Sequence, residues 1–597
     1  MSRLRAFLGE RRNVSPANAT SWLVALFVLA VAIPANDKIG SNAVFFATHR
    51  FSPIAWIVLL LAALAVVWLV LWGVLSLVKR FASATAYDVV ASVITFALTW
   101  FLAGNALALA ISPKVPAIGF ALGLVVAVLI TWLARNFSMG TILLGVSAIA
   151  MAVPLVSAIA QDQQPPSKAF TFAADAKKPD VMWIISDELS YPLVFDAKGK
   201  VRDEFPNLQQ LQADSTTYTH AYTAANHTDY AVPSQLAGVS DLKALSAQDL
   251  KAMRSRTGIV PGFAKDYTVF VESPMFHFNC TDAKCAAAHA DTEESFTDRA
   301  VMFVKDAAAI AGNTALAQPF VNQFPSLDGK WRDYWSSADD GTNTVGNVID
   351  GLKTATANDP TSPIFTLWHS IRTHGPWVLD GEGKKIFPAR VPIVQGAHMV
   401  GERKNETNAT PELASMDRRL YVYAAKDMDR QVGELVAALK AMGKYDNTMI
   451  VFTADHGVAI TKTKLRRVGD TKAQRWSEIA HVPLMVKSPG QTEPEVVTAV
   501  RSTGQIAQTV LEATGAQAPA GTVKNPSLDQ DLPKAPVFST TWSKGLQSET
   551  YPALPETDPW TPDDLNPADP QHPFAIGIAP NLIDAPVPST AVEQSAT

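Results

Sequence analysis

The longest uncharged runs of this 597-residue chain are gathered in its first 160 residues, and they constrain the fold more than any other feature. Five runs, about 20–36, 53–78, 86–112, 117–134 and 139–160, approach or exceed the roughly 17–25 residues that a helix needs to cross a bilayer. A water-soluble bundle would carry a polar stripe on each helix, and these runs carry none. No small-residue cleavage site follows the first run and four more come after it, so it reads as a span rather than a removable leader. The expectation is an α-helical membrane domain of five spans over residues 1–161.

Basic residues orient that domain. Arg3, Arg5, Arg11 and Arg12 precede the first span, Lys79 and Arg80 follow the second, and Arg135 follows the fourth. The positive-inside rule puts all three clusters in the cytoplasm, with Lys114 as a lone exception on the other side. An odd number of spans then places everything after residue 161 outside the cell (inner or plasma) membrane. Cys280 and Cys285 fall in that part, where an oxidising environment favours a local disulfide. Charged residues make up 18% of the chain, against about 25% in an average soluble domain. The formal net charge of −5 excludes the basic footprint of a nucleic-acid binder.

The remainder is organised differently. Residues 162–178 are polar, with Gln-Pro-Pro and Lys-Lys, and read as a linker. Over 179–545, short β-branched runs alternate with amphipathic helices: 180–186, 267–272, 364–368, 449–454 and 482–486 read as buried strands, and 419–442 as a helix with Leu435, Leu439 and Met442 on one face. That alternation predicts an α/β domain with a mostly parallel central sheet. Residues 546–597, rich in Pro, Asp and Thr, read as a tail.

Four motifs stand at or near predicted strand ends, where open α/β sheets place their ligands. Asp187-Glu188 follows the first strand and could hold a metal, or supply first-turn helix charge. Thr228, in NHTDYAVPSQLAG, stands where a helix could begin. It is either an N-cap or a hydroxyl nucleophile awaiting activation, with Ser234 as a competitor. His374, in THGP, could act on substrate or as a general acid, with His369 as a nearby rival. Asp455-His456-Gly457 offers one oxygen and one imidazole ligand at a sharp turn. Lys462, Lys464, Arg466 and Arg467 follow it and could bind an anionic lipid or glycan, or form a solvated loop.

In order and spacing, KPDVMWIISDELS, FPNLQQLQADSTTYTHAY, NHTDYAVPSQLAG, HGPW, the long MDRQVGELVAALKAMGKYDNTMIVFTADHG run and HVPLMVKSPG resemble the alkaline phosphatase and sulfatase superfamily over about 178–490. With five spans ahead of it, the chain is similar to lipoteichoic acid synthases and lipid A phosphoethanolamine transferases. The resemblance implies that Asp187 stands in the place of the metal-binding acid (usually Glu in those transferases). It puts Thr228 in the nucleophile's place, Asp455 and His456 in those of the paired ligands, and His374 in that of the substrate-side histidine. Sulfatases need a Cys or Ser that becomes formylglycine within C-x-P-S-R, and this chain has no Cys there. Ala231-Val232-Pro233-Ser234 mimics part of that motif in a shifted register. The implied enzyme is a transferase that holds one divalent metal ion, Zn²⁺ or Mn²⁺, on Asp187, Thr228, Asp455 and His456. It would move a phospho head group from a phospholipid donor to an envelope glycan or glycolipid through a phosphothreonine, at the membrane and without nucleic acid. The alternatives are a metal-dependent phosphodiesterase or sulfatase-like hydrolase, and a non-catalytic envelope protein on the same fold.

Overall fold

The computed structural model describes residues 15–147, 170–273, 285–287, 295–335, 345–383, 411–519 and 525–552, with short breaks inside several of these stretches. The chain divides into two compact units. One comprises Met1–Gln164, Met275–His277 and Glu293–Asp340; the other comprises Pro165–Pro274, Phe278–Thr292 and Gly341–Thr597.

The first unit contains four helices long and apolar enough to cross a membrane: α1 (Pro16–Asn36), α2 (Ile54–Phe81), α3 (Ala84–Ile111) and α4 (Pro116–Asn136). Most of the fifth expected span, 139–160, lies outside the described residues, which are helical there over 140–147. Small residues let α3 and α4 approach closely. A Cβ on Gly119 would lie 2.2 Å from the Ala108 nitrogen, and one on Gly123 would lie 2.7 Å from the Gly104 Cα. Gly119, Gly123 and Ala127, spaced by four, therefore form a seam of the kind that packs helices in lipid, where apolar side chains gain nothing by hiding from their surroundings. Large side chains such as Val66, Val125 and Val128 point outward and are exposed.

In chain order the remaining elements used below are β1 (Asp180–Ser186), β2 (Thr216–Tyr218), α5 (Thr228–Leu236), β3 (Thr268–Glu272) and β4 (Cys285–Ala287). They continue with α6 (Phe296–Ala315), α7 (Val345–Asn358), β5 (Ile364–Ser370), α8 (Pro411–Ala441), β6 (Thr448–Ala454), β7 (Leu484–Lys487) and β8 (Glu495–Val497). Of these only α6 belongs to the first unit. The second unit is built on an eight-stranded sheet in the order β8-β2-β7-β6-β1-β5-β3-β4. The sheet is mixed, which qualifies the expectation of a mostly parallel one: β7 runs antiparallel to both β6 and β2, while the other pairings are parallel. A parallel neighbour requires a crossover back to the far edge of the sheet. Here β7 instead starts near the carboxyl end of β6 and runs back along it.

The central strands β1, β5 and β6 are buried almost throughout, which is why they read as unbroken apolar runs rather than alternating ones. Helix α8 lays Leu420, Met428, Val432, Leu435 and Leu439 into the core formed by Met182, Ile184, Ile450 and Phe452. Most of the expected linker at 162–178 and most of the expected tail at 546–597 fall outside the described residues, as does Cys280 with its expected disulfide to Cys285. The described end of the linker is ordered on the second unit: Thr171–Phe172 pairs antiparallel with Ala516–Gln517, and Lys178 pairs with Asp266 at 2.8 Å. Trp183 is fully buried at the centre of the sheet. Trp183→Ala should cost about 3–5 kcal/mol, read as a lowered melting midpoint of the second unit with the membrane helices still folded by far-ultraviolet circular dichroism.

Candidate active site

Register aligns the site. β1 pairs with β5 and β6 so that Ser186 lies opposite both Ser370 and Ala454. The residues that follow β1 and β6, Asp187 and Asp455, therefore emerge at one edge of the sheet, beside His369 in the last turn of β5. All three are fully buried. His369 Nε2 lies 3.3 Å from Asp187 Oδ2, and its Nδ1 is 3.2 Å from Ser273 Oγ just beyond β3.

The DHG turn is fixed from both sides. Asp455 Oδ1 accepts hydrogen bonds from the backbone N–H of Glu188 at 2.9 Å and of His456 at 2.6 Å. His456 donates its Nδ1–H to the Gly457 carbonyl at 2.9 Å, which leaves the lone pair of Nε2 available to a cation. Gly457 cannot carry a side chain, because a Cβ there would sit 2.1 Å from the Glu478 carbonyl oxygen. Asp455 Oδ2 and His456 Nε2 are 3.4 Å apart, buried, and without a hydrogen-bond partner.

Glu188 is held in the left-handed region at φ 62°, which costs a non-glycine residue roughly 1–2 kcal/mol. Tyr421 on α8 fixes it by donating its hydroxyl to the Glu188 carbonyl while accepting from the Ser190 N–H at 2.8 Å. This peptide geometry turns the Glu188 side chain back into the site. There its Oε2 accepts from Gly375 N–H at 3.1 Å and its Oε1 from Arg467 at 2.6 Å.

Thr228 is the first residue of α5 and is buried. Its hydroxyl is 3.4 Å from Asp187 Oδ2. Gln235, the last residue but one of the helix, donates to the Ala454 carbonyl at 2.7 Å and ties α5 to the end of β6. Ser234 is turned inward, giving its hydroxyl to the Ala231 carbonyl at 2.7 Å. Of the two hydroxyls considered from sequence, Thr228 is the one placed beside the acidic cluster. His374 lies 3.7 Å from Glu188 Oε1, and Arg467 donates to its Nε2 at 2.8 Å.

Arg467 was legible in the sequence only as one member of a cationic run. In the structure its guanidinium pairs with Glu188 and lies within hydrogen-bonding distance of His374 and, at 3.2 Å, of His227 Nδ1. Its backbone carbonyl accepts from Asn226 at 2.9 Å. Lys462, Lys464 and Arg466 are outside the described residues.

Two overlapping groups have ligand atoms close enough to share a cation: Asp187, Glu188 and His456, and Asp187, His369 and Asp455. The donor chemistry fits a divalent metal, with carboxylate oxygens and imidazole nitrogens at one buried point. Glu188 and His369 thus join the ligand set expected from sequence (Asp187, Thr228, Asp455 and His456). Burial, then the neighbouring Asp187 charge, holds the Asp455 carboxyl well above the usual carboxylate range. Burial, then Arg467, holds His456 well below the usual imidazole range. Burial brings His369 down to about 4, so both imidazoles are neutral near pH 7. For Arg467, burial opposes the charge, but Glu188 and Asp187 outweigh it and raise the pKa.

The sulfatase family profile matches residues 179–516, more than half of the chain. The chain belongs to the sulfatase family. It is 33% identical over 97 residues to an endo-4-O-sulfatase of Bacteroides thetaiotaomicron, covering 16% of this chain and 18% of that protein. It is 21% identical over 372 residues to arylsulfatase K of Canis lupus familiaris, covering 57% of this chain and 64% of the relative. The chain thus spans less than two thirds of either relative. Among solved structures it is similar to a phosphonate monoester hydrolase of Agrobacterium radiobacter, at 15% identity and a TM-score of 0.36 over 61% of this chain and 82% of that one. Family membership, the α/β fold and the buried acid–imidazole cluster give this chain a sulfatase-family domain with residues able to hold a divalent metal.

Two outcomes follow from the geometry. Because a cation competes with a proton for the Asp455 carboxyl, whose pKa burial and Asp187 raise, Zn²⁺ affinity should rise as pH rises and fall as pH drops. Calorimetry at about pH 6 and about pH 8, in buffers of different ionisation enthalpy, should register proton release on binding. Tyr421→Phe removes the hydroxyl that holds the Glu188 peptide and should weaken Zn²⁺ binding about 10–100-fold without unfolding the second unit, as read by competition with a chelator.

Proposed function

We propose that the protein is a metal-dependent phosphoesterase, anchored in a membrane by its N-terminal helices, that hydrolyses a phosphate ester through a covalent phosphothreonine on Thr228. The observation that carries this reading is the Thr228 hydroxyl at the head of α5, buried and 3.4 Å from Asp187 Oδ2 beside the metal-fitting cluster. A threonine β-carbon bears a methyl group and cannot become the aldehyde on which formylglycine sulfatases depend. Direct attack of the hydroxyl on phosphorus suits it better.

In the first step the Thr228 oxygen forms a bond to phosphorus while the ester P–O bond breaks. The Thr228 proton leaves by way of Asp187 Oδ2, and the departing alcohol oxygen takes a proton from His374. The N-terminus of α5 and Arg467 offset the negative charge of the non-bridging oxygens. In the second step water gives a proton to His374 as it forms the new P–O bond, the bond to Thr228 breaks, and the threonine oxygen recovers its proton from Asp187. A divalent cation, Zn²⁺ or Mn²⁺ in this reading, supplies positive charge that lowers the pKa of a nearby hydroxyl and screens the phosphoryl group. Asp187, Glu188, His369, Asp455 and His456 are the residues to hold it.

A second reading, head-group transfer, is favoured by one observation: the same chain carries four helices apolar enough to span a membrane. Water is then replaced in the second step by a hydroxyl of an envelope glycan or glycolipid, and the donor is a phospholipid. The basic residues at the ends of α2 and α4, Lys79, Arg80 and Arg135, support a multi-pass cell-membrane protein whose catalytic unit faces away from the cytoplasm.

The test is peptide mass spectrometry on the full-length protein incubated with mixed phospholipids and Mn²⁺ or Zn²⁺, with and without a glycan acceptor. A phospho adduct is expected on the peptide containing Thr228 and not in Thr228→Ala, with turnover lowered at least about a thousandfold. Free head-group phosphate without acceptor supports hydrolysis, and product formed only with acceptor supports transfer. Full activity in Thr228→Ala would sink both.

A further inference from the structure

Helix α6 is apolar on two faces. One face is accounted for within the first unit: Phe303, Ala307 and Ile310 pack with Ile39, Phe45 and Trp56. Asp306 on the same side accepts from the Tyr334 N–H at 3.0 Å and pairs with His49 Nε2 at 2.8 Å; both side chains of that pair are fully buried. The opposite face presents Thr297, Val301, Val304 and Ala308, spaced as one row along the helix, and all are exposed. Phe296 at its start is 67% exposed, and Val301 and Val304 are 48% and 51% exposed. A helix apolar on both sides is stable when protein or lipid covers the second side, because water penalises each exposed apolar group.

The chain after α6 shows which it is. The Ala317 N–H donates to Asn105 Oδ1 on α3 at 2.8 Å. Phe320 packs against Phe101 of α3 at 5.1 Å and Phe120 of α4 at 6.0 Å. Asn105 and Phe101 precede the end of α3 by six and ten residues, and Phe120 follows the start of α4 by four. At 1.5 Å per residue, this segment reaches roughly 6–15 Å down those helices from the ends at Ile111 and Pro116, which is within the depth of a hydrocarbon layer. Trp335 completes the pattern. Its ring packs on Phe324 and is 47% exposed, while its indole N–H is satisfied by the Lys305 carbonyl at 2.9 Å. An apolar ring with a satisfied polar edge suits a membrane interface.

We propose that the exposed row of α6, with Phe320 and Trp335, forms a membrane-contact surface, in which Phe296, Val301, Val304, Phe320 and Trp335 are set against lipid acyl chains of one leaflet. The leaflet is the one at the Ile111 and Pro116 ends, opposite Lys79, Arg80 and Arg135. The occupant is phospholipid, because α6 packs on Trp56 of α2 and Phe320 packs on Phe101 of α3 and Phe120 of α4, helices whose large apolar side chains are themselves exposed. The inference rests on the membrane reading of α1–α4 and adds that a segment far along the chain, between β4 and α7, enters the bilayer with them.

The experiment places a photoreactive benzoylphenylalanine at one position at a time in the full-length protein, reconstituted in phosphatidylglycerol–phosphatidylcholine vesicles, and identifies adducts by mass spectrometry. Val125 on α4, 66% exposed, is the lipid-facing reference, and Val496 on β8, 60% exposed in the second unit, is the water-facing one. Lipid adducts at 301 and 304 comparable to those at 125, with none at 496, are expected. Lipid adducts at 125 with none at 301 and 304 would overturn the proposal while leaving the membrane reading intact. Cross-links from 304 to a second copy of the chain would overturn it by showing that protein covers that face. No lipid adduct at 125 would overturn the membrane reading and the proposal together. All the substituted positions are exposed, and gel filtration of each variant checks its fold.

Discussion

Two buried carboxylates, Asp187 and Asp455, face one another at the end of the central sheet, and the second unit is organised around that placement. Burying one unpaired carboxylate is expensive, and burying a second beside it more so. The Asp455 carboxyl responds as expected, its pKa raised by burial and by its neighbour. Nearby, Asp455 Oδ2 and His456 Nε2 lie 3.4 Å apart, each without a hydrogen-bond partner. A divalent cation resolves both problems at once, so the unit spends folding stability on a site whose ligands are compatible only when a cation is shared among them. The strained Glu188 peptide belongs to the same trade, since Tyr421 holds a residue at φ 62° so that one more carboxylate can turn inward.

Thr228 is tied to this cluster through side-chain amides that donate to backbone carbonyls. Gln235 hooks α5 to the last carbonyl of β6, and Asn226 accepts the same role toward the Arg467 loop by donating to its carbonyl. Movement of the DHG turn would therefore carry Thr228 and Arg467 with it. Arg467 balances charge in the cluster by pairing with Glu188.

Much of the fold could be read from the residues because its strongest elements are long and uniform. The four described spans and the central strands are unbroken apolar runs, and such runs keep their identity whatever packs against them. The short strands β2 and β8 escaped notice: Thr216–Tyr218 and Glu495–Val497 have three residues each, too few for a period to register. The antiparallel course of β7 was equally hidden, since strand direction leaves no mark on a four-residue apolar run. Ser234 looked as good a nucleophile as Thr228 from spacing. The difference is rotational, as one hydroxyl points at Asp187 and the other back into its own helix.

The sequence by itself determined the membrane helices, the α/β character of the second unit and the segments that carry the chemistry, because each depends on local pattern or on residue type at a strand end. Tertiary structure alone decided which of those residues meet. His369 entered the cluster because β5 lies beside β1 in matching register, and Arg467 because its guanidinium pairs with Glu188. The segment 293–340 joined the membrane unit although it is separated from the spans by the first strands of the sheet. These are contacts between residues tens to hundreds of positions apart, fixed by pairing register and packing, and no local property of the chain encodes them.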